Sequence, residues 1–254
     1  MNLAALRASQ NPADRLVLAL DVPDRRRALE LAGRLAGRAG WLKVGLELFA
    51  AEGLSLLDEL KTAAPSAGLF LDLKLHDIPA TVGRALAALL SSTAGGPAGA
   101  RPTIELVTVH AQGGPEMMAA AAAAAGETIV LGVTVLTSLA PERLDELTEE
   151  CRRPGRYVVK LAQRALAAGC RGLVASPLEA ADLRDRFGPD FLLVTPGIRP
   201  GGRRTAGDDQ KRAADVGDAL AAGADLLVVG RPLRDAPDPA EAADRLLAEI
   251  ARHL

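Results

Sequence analysis

Eight short apolar runs recur along the chain, each followed by a stretch whose apolar residues fall at helical spacing. The spacing predicts strands at Leu16–Leu20, Leu42–Val44, Leu69–Leu73, Glu105–Val109, Ile129–Val135, Gly172–Ala175, Phe191–Val194 and Leu226–Val229. The helices predicted after them are Arg26–Leu35, Leu54–Ala63, Thr81–Leu90, Met117–Ala125, Val158–Ala167, Leu178–Arg186, Ala213–Ala222 and Ala240–Ile250. Strands alternating with helices imply parallel pairing through crossovers. Eight such units in 254 residues favour a closed (β/α)8 TIM barrel, a single domain over residues 1–254. A doubly wound open sheet would want a glycine-rich dinucleotide turn after the first strand. That turn is Asp21-Val22-Pro23-Asp24, with no glycine. Residues 91–102, SSTAGGPAGARP, are read as a surface loop insertion on the face away from the strand ends.

With 49% hydrophobic residues but only 2% aromatic ones, the core must be built from Leu, Val, Ile and Ala. A formal charge of −2 exerts no global pull on nucleic acid or anionic membrane, so neither is expected as a partner. No run approaches the roughly 18 apolar residues of a membrane span. The N-terminal stretch MNLAALRASQNPADR is no secretory signal. Cys151 and Cys170 have no metal-ligand spacing and make no disulfide framework, so both are read as inert thiols. A soluble cytoplasmic protein is the expectation.

The segment LFLDLKLHDIP, residues 69–79, places two aspartates, a lysine and a histidine where a buried strand should run. Burying a charge is costly unless it is paired. Side chains at i and i+2 share a face, so Asp72 and Lys74 point together into the barrel while Leu71, Leu73 and Leu75 face the helices. Active sites of such barrels lie at the C-terminal strand ends. Lys43, Asp21 and Asp77 fall at matching depths. The Asp72–Lys74 pair alone leaves a structural ion pair and a reaction centre equally open; the three added charges favour the reaction centre. The fourth strand ends in His110, and the fifth runs into Thr137 and Ser138. His76 is expected to pack or hydrogen-bond, and His110 to line the barrel mouth and orient its neighbours rather than to catalyse. Pro196-Gly197-Ile198-Arg199-Pro200-Gly201-Gly202 follows strand seven, and Gly230-Arg231 follows strand eight. Glycine lets backbone N–H groups approach an anion, arginine offers a forked donor, and these two loops are the usual phosphate site of the barrel. The residues point to a phosphorylated small molecule with a Lys/Asp cluster at its other end.

The stretches LALDVP, LKVG, LDLKLHDIPAT, VTVHAQGG, GVTVLTS, VTPGIRPGG and VVGRP, in order from strand one to strand eight, resemble the orotidine 5′-phosphate decarboxylase family. The resemblance implies a homodimeric barrel that converts orotidine 5′-monophosphate to UMP and CO2, the last step of pyrimidine nucleotide synthesis. It implies no metal and no organic cofactor. Lys43, Asp72, Lys74 and Asp77 match the family's alternating Lys-Asp-Lys-Asp network. In the family the last aspartate crosses the dimer interface with the segment that is here Ile78, Pro79 and Thr81. Asp21 matches the ribose-hydroxyl ligand, and Thr137 and Ser138 match the segment touching the pyrimidine. Arg199, Gln210, Gly230 and Arg231 match the phosphate side, in a segment that Pro196 opens. The stretch RRTAGDDQKR, residues 203–212, is about one residue longer than the family's spacing around its glutamine, which places that role on Gln210. Loss of CO2 leaves an electron pair at C6 that the ring conjugates poorly, and Lys74 is the expected cation and proton donor there. Two rivals stand beside this reading. One is a Mg-dependent sugar-phosphate decarboxylase or aldolase of the same superfamily, against which the cation Lys43 argues. The other is a non-catalytic nucleotide-binding pseudoenzyme, against which the complete Lys/Asp set argues.

Overall fold

The computed structural model describes residues 3–91, 103–138, 154–200 and 214–254. Within them eight parallel strands pair in sequence order and close on themselves. They are β1 (Leu16–Ala19), β2 (Trp41–Gly45), β3 (Gly68–Leu75), β4 (Ile104–His110), β5 (Ile129–Val133), β6 (Gly172–Val174), β7 (Leu192–Thr195) and β8 (Leu226–Val229). Closure is made by β1 against β8, from Leu16↔Leu227 to Leu18↔Val229. The (β/α)8 barrel expected from the alternation is the fold observed.

Period-two alternation divides the apolar residues into two shells. Val17, Ala19, Trp41, Phe70, Leu106, Ile129, Leu131, Leu192, Val194, Leu226 and Val228 pack together inside the barrel. The residues between them, among them Leu16, Leu18, Leu42, Val44, Leu69, Leu71, Val107 and Leu193, pack against the helices. Fully burying one such side chain stabilises by about 1.5–3 kcal/mol, so these shells carry the fold. Trp41 is the large filler of the interior. It fits because its neighbour on β3 is Gly68, where a Cβ would stand 2.5 Å from the indole ring. The indole N–H is satisfied by the Asp14 carbonyl at 3.0 Å.

At the N-terminal strand ends, the helix Leu3–Ala8 brings Arg7 onto the buried carboxylate of Asp225, with Nε–Oδ1 2.6 Å and Nη2–Oδ2 3.0 Å. Arg184 and the Leu193 N–H share the same carboxylate. Asp225 thus ties the first helix, β7 and the entry to β8 together.

Element boundaries differ from expectation in instructive places. β3 runs two residues past Leu73, and β5 stops at Val133 rather than Val135. A helix at Leu46–Glu52 precedes the expected one, which occupies Ser55–Ala63; Gly53, at φ 66°, separates them. The third expected helix starts at Pro79 rather than Thr81, since proline's fixed φ and missing N–H suit a first helical turn. Apart from Ser91, the 91–102 insertion lies outside the described residues, as do Cys151, Gln210 and Ala213. Cys170 is buried, and burial pushes its thiol up to about 12. Among the described residues no helix is long and apolar enough to cross a membrane.

Candidate active site

Three adjacent strands build the charged end of the barrel by one rule. On β2, β3 and β4 an apolar interior residue (Trp41, Phe70, Leu106) is followed two positions later by a polar one (Lys43, Asp72, Thr108). The chain beyond β1 adds Asp21. The Lys43 ammonium lies between Asp21 Oδ1 at 2.9 Å and Asp72 Oδ2 at 3.3 Å. The Lys74 ammonium stands 2.7 Å from Asp72 Oδ1. Gly45 makes room for this chain of charges, because a Cβ there would lie 3.0 Å from Asp21 Oδ1 and 3.3 Å from Lys43 Nζ.

Lys74 reaches its place by an irregular backbone. Leu71 pairs with Val107 and Leu75 with Val109, so β3 spends four steps where β4 spends two. Lys74 has φ 49°, the one positive value at a non-glycine among the described residues. A left-handed non-glycine costs on the order of 1–3 kcal/mol and persists only where its surroundings hold it. The holder is Thr108. Its hydroxyl accepts the Lys74 N–H at 2.8 Å and donates to Asp72 Oδ1 at 3.0 Å, which replaces the ladder bond lost at the bulge. Asp72 and Lys74 share a side as expected, but through this bulge rather than through simple alternation.

Burial alone would push the Lys43 ammonium down, yet Asp72 and Asp21 hold it above its ordinary 10.5. Burial likewise opposes the Asp72 carboxylate, yet Lys43, Lys74 and Thr108 hold it below its ordinary 3.8. Both groups are charged across the neutral range.

These residues form one wall of a cavity of about 550 Å³ at the C-terminal strand ends. Of the residues expected at the site, Asp21, Lys43, Asp72, Lys74, Thr137, Ser138, Pro196, Arg199, Gly230 and Arg231 all line it. Arg199 is buried, with its Nη1 donating to the Ile198 carbonyl at 2.9 Å. Asp77, Ile78, Pro79 and Thr81 are not brought into this cavity. Asp77 to Pro79 are exposed, and the Asp77 carboxylate accepts the Ile78 N–H at 2.6 Å. Gln210 lies outside the described residues. His110 stacks on His76 with ring centroids 5.4 Å apart, beside rather than in the cavity lining.

Two site residues were not singled out from sequence. Thr108 was legible, since it alternates with Leu106 and His110 on β4. Arg234 also lines the cavity; it follows Arg231 by one helical turn, and only that spacing hinted at it.

Comparison with known proteins matches residues 14–246 to the model of the orotidine 5′-phosphate decarboxylase / HUMPS family. The chain belongs to that family. It is 47% identical over 238 residues to an orotidine 5′-phosphate decarboxylase of Thermobifida fusca, covering 93% of this chain and 96% of that protein. It is 49% identical over 243 residues to one of Anaeromyxobacter sp. (strain K), covering 94% and 99%. A crystal structure of the decarboxylase from Lactobacillus acidophilus superposes with a TM-score of 0.75 at 32% identity, covering 93% of this chain and 98% of that one. The family match takes in all eight strands and every residue that lines the cavity.

Proposed function

We propose that this protein decarboxylates orotidine 5′-monophosphate to UMP and CO2, closing the synthesis of the pyrimidine nucleotide in the cytoplasm. The observation that carries the reading is the preassembled Asp21–Lys43–Asp72–Lys74 array in a nucleotide-sized cavity that Arg199 and Arg231 also line. In this reading the bond from C6 to the carboxylate breaks, CO2 leaves, and the electron pair remains on C6. The Lys74 ammonium stabilises that pair and delivers its proton to C6. Asp72, held ionised, lies beside the substrate carboxylate, and their repulsion is relieved as CO2 departs. Charges fixed before substrate arrives need no reorganisation during the reaction. A unit pair at ~4 Å is worth about 4 kcal/mol at an effective dielectric near 20.

The remaining assignments follow the same frame. Asp21 takes a ribose hydroxyl, Thr137 and Ser138 the pyrimidine, and Arg199, Gln210, Gly230 and Arg231 the phosphate, with Pro196 opening the phosphate segment. Asp77 and Thr81, with Ile78 and Pro79, serve the site of a second copy. The exposure of Asp77 to Pro79, with the apolar Ile78 65% exposed, supports a dimer. The sugar-phosphate activity is disfavoured by Lys43, whose ammonium occupies the space between Asp21 and Asp72 that a divalent ion would need.

The test is the ultraviolet absorbance of orotidine 5′-monophosphate with purified protein, with and without EDTA, beside Lys74→Ala. Loss of the orotate band with UMP as product, insensitivity to EDTA and an inactive variant support the reading. A folded protein without turnover points to a pseudoenzyme. Turnover of a sugar phosphate abolished by EDTA points to the sister activity.

A further inference from the structure

We infer that Arg234 is a positioning residue that couples the phosphate end of the cavity to the Lys/Asp array by holding the main chain of Asp21. The inference rests on the nucleotide reading for its substrates. Its geometry stands without it.

Asp21 lies where the barrel's own scaffolding has ended. β1 stops at Ala19, its register with β8 ends at Leu18↔Val229, and Leu20 N–H to the Lys43 carbonyl, at 2.9 Å, extends the ladder by one bond. Asp21 must nevertheless keep its carboxylate 2.9 Å from Lys43 Nζ. Its carbonyl is taken by Arg234 Nη1 at 2.7 Å, across 213 residues of sequence. The rest of the guanidinium is forked on Asp235, with Nε–Oδ1 2.7 Å and Nη2–Oδ2 2.9 Å. That fork fixes the plane of the guanidinium and offsets its charge locally. Arg234 is therefore built as a strut, whereas Arg231, one turn earlier, belongs to the phosphate end. The strut joins Arg231 to Asp21, and Asp21 joins Lys43, Asp72 and Lys74 through the ion pairs already described. A shift of the helix Arg231–Arg234 moves the carboxylate that holds Lys43.

A phosphate ligand and a strut differ in what they protect. The experiment compares kcat/KM on orotidine 5′-monophosphate and on orotidine, which lacks the phosphate, for Arg234→Gln, Arg231→Ala, Asp21→Asn and the Arg234→Gln/Asp21→Asn pair. Arg234→Gln is expected to lose about ten- to a hundredfold on both substrates by a similar factor, the worth of one charge-assisted hydrogen bond. Arg231→Ala is expected to lose on the nucleotide alone. The double variant is expected to lose little more than Asp21→Asn, because the two changes act through one group. Arg234→Lys, which reaches one acceptor but cannot make the fork, should recover part of the loss. Amide exchange of a peptide spanning residues 20–25, measured on the protein without substrate, should be faster in Arg234→Gln than in wild type. A loss confined to the nucleotide, additivity with Asp21→Asn, or unchanged exchange overturns the inference. Should wild type turn over neither substrate, the proposed function fails, and the exchange measurement alone decides the strut.

Discussion

Lys43 and Asp72 form a pair that neither could sustain alone. Each is almost removed from water, and each keeps its charge because the other, with Asp21, Lys74 and Thr108, outweighs burial. Breaking such a pair leaves a buried charge uncompensated, which costs about 3–5 kcal/mol. Lys43→Met should therefore destabilise the fold by that amount in urea unfolding, although it adds apolar surface. Lys74 is more exposed and sits on a strained backbone position, the mark of a group held for chemistry rather than for stability. Lys74→Ala should lower kcat by about 10²–10⁴-fold or more, the range of a lost proton donor, while circular dichroism stays native. The sign of each shift sets the pH window. The contribution of Lys43, raised, persists below 10.5 and is lost as pH rises through its folded value. That of Asp72, lowered, persists above 3.8 and is lost as pH falls through its folded value. Neither group titrates between.

Among the elements, β3 and β4 decide the geometry. Their register slip turns Lys74, and His76, just past β3, stacks on His110 at the end of β4 with an interplanar angle of 19°. Burial first, then His76 and Lys74, holds His110 down from 6.5 to about 4. The folded protein thus binds a proton at His110 less readily than the unfolded chain does. That contribution to stability is complete above 6.5 and is lost as pH falls toward about 4. The urea midpoint of wild type should fall between pH 6.5 and 4.5, and His110→Gln should flatten that slope. Equal slopes would show that other groups carry the acid sensitivity.

Across the whole molecule, stability and chemistry lie at opposite ends of the barrel. Asp225, with two arginines and a main-chain N–H on its carboxylate, closes the N-terminal end. Asp225→Ala leaves Arg7 and Arg184 without their shared anion and should cost about 3–5 kcal/mol in unfolding experiments, with kcat/KM of the folded fraction unchanged. The proposed dimer carries a second test. If Asp77 serves its partner's site, mixing Lys74→Ala with Asp77→Ala protein should restore about one quarter of the wild-type rate, since half the dimers are mixed and one of their two sites is intact. No recovery after subunit exchange would place Asp77 in its own copy's site.

The barrel was legible in the chain because alternation at period two and helical periodicity are local properties, written every few residues. The depth of Asp21, Lys43 and Asp72 followed from counting along strands, and the place of Arg199, Gly230 and Arg231 in the cavity lining from glycine and arginine after strands seven and eight. What pairs Thr108 with Lys74, or Arg234 with Asp21, has no local signature. Those bonds join residues 34 and 213 positions apart, and they exist only because strand register and barrel closure bring the chain ends of β1, β3, β4 and β8 together. The sequence determined the repeat and the identity of the charges; tertiary closure decided which main-chain groups hold them, because a backbone hydrogen bond depends on position and not on residue type.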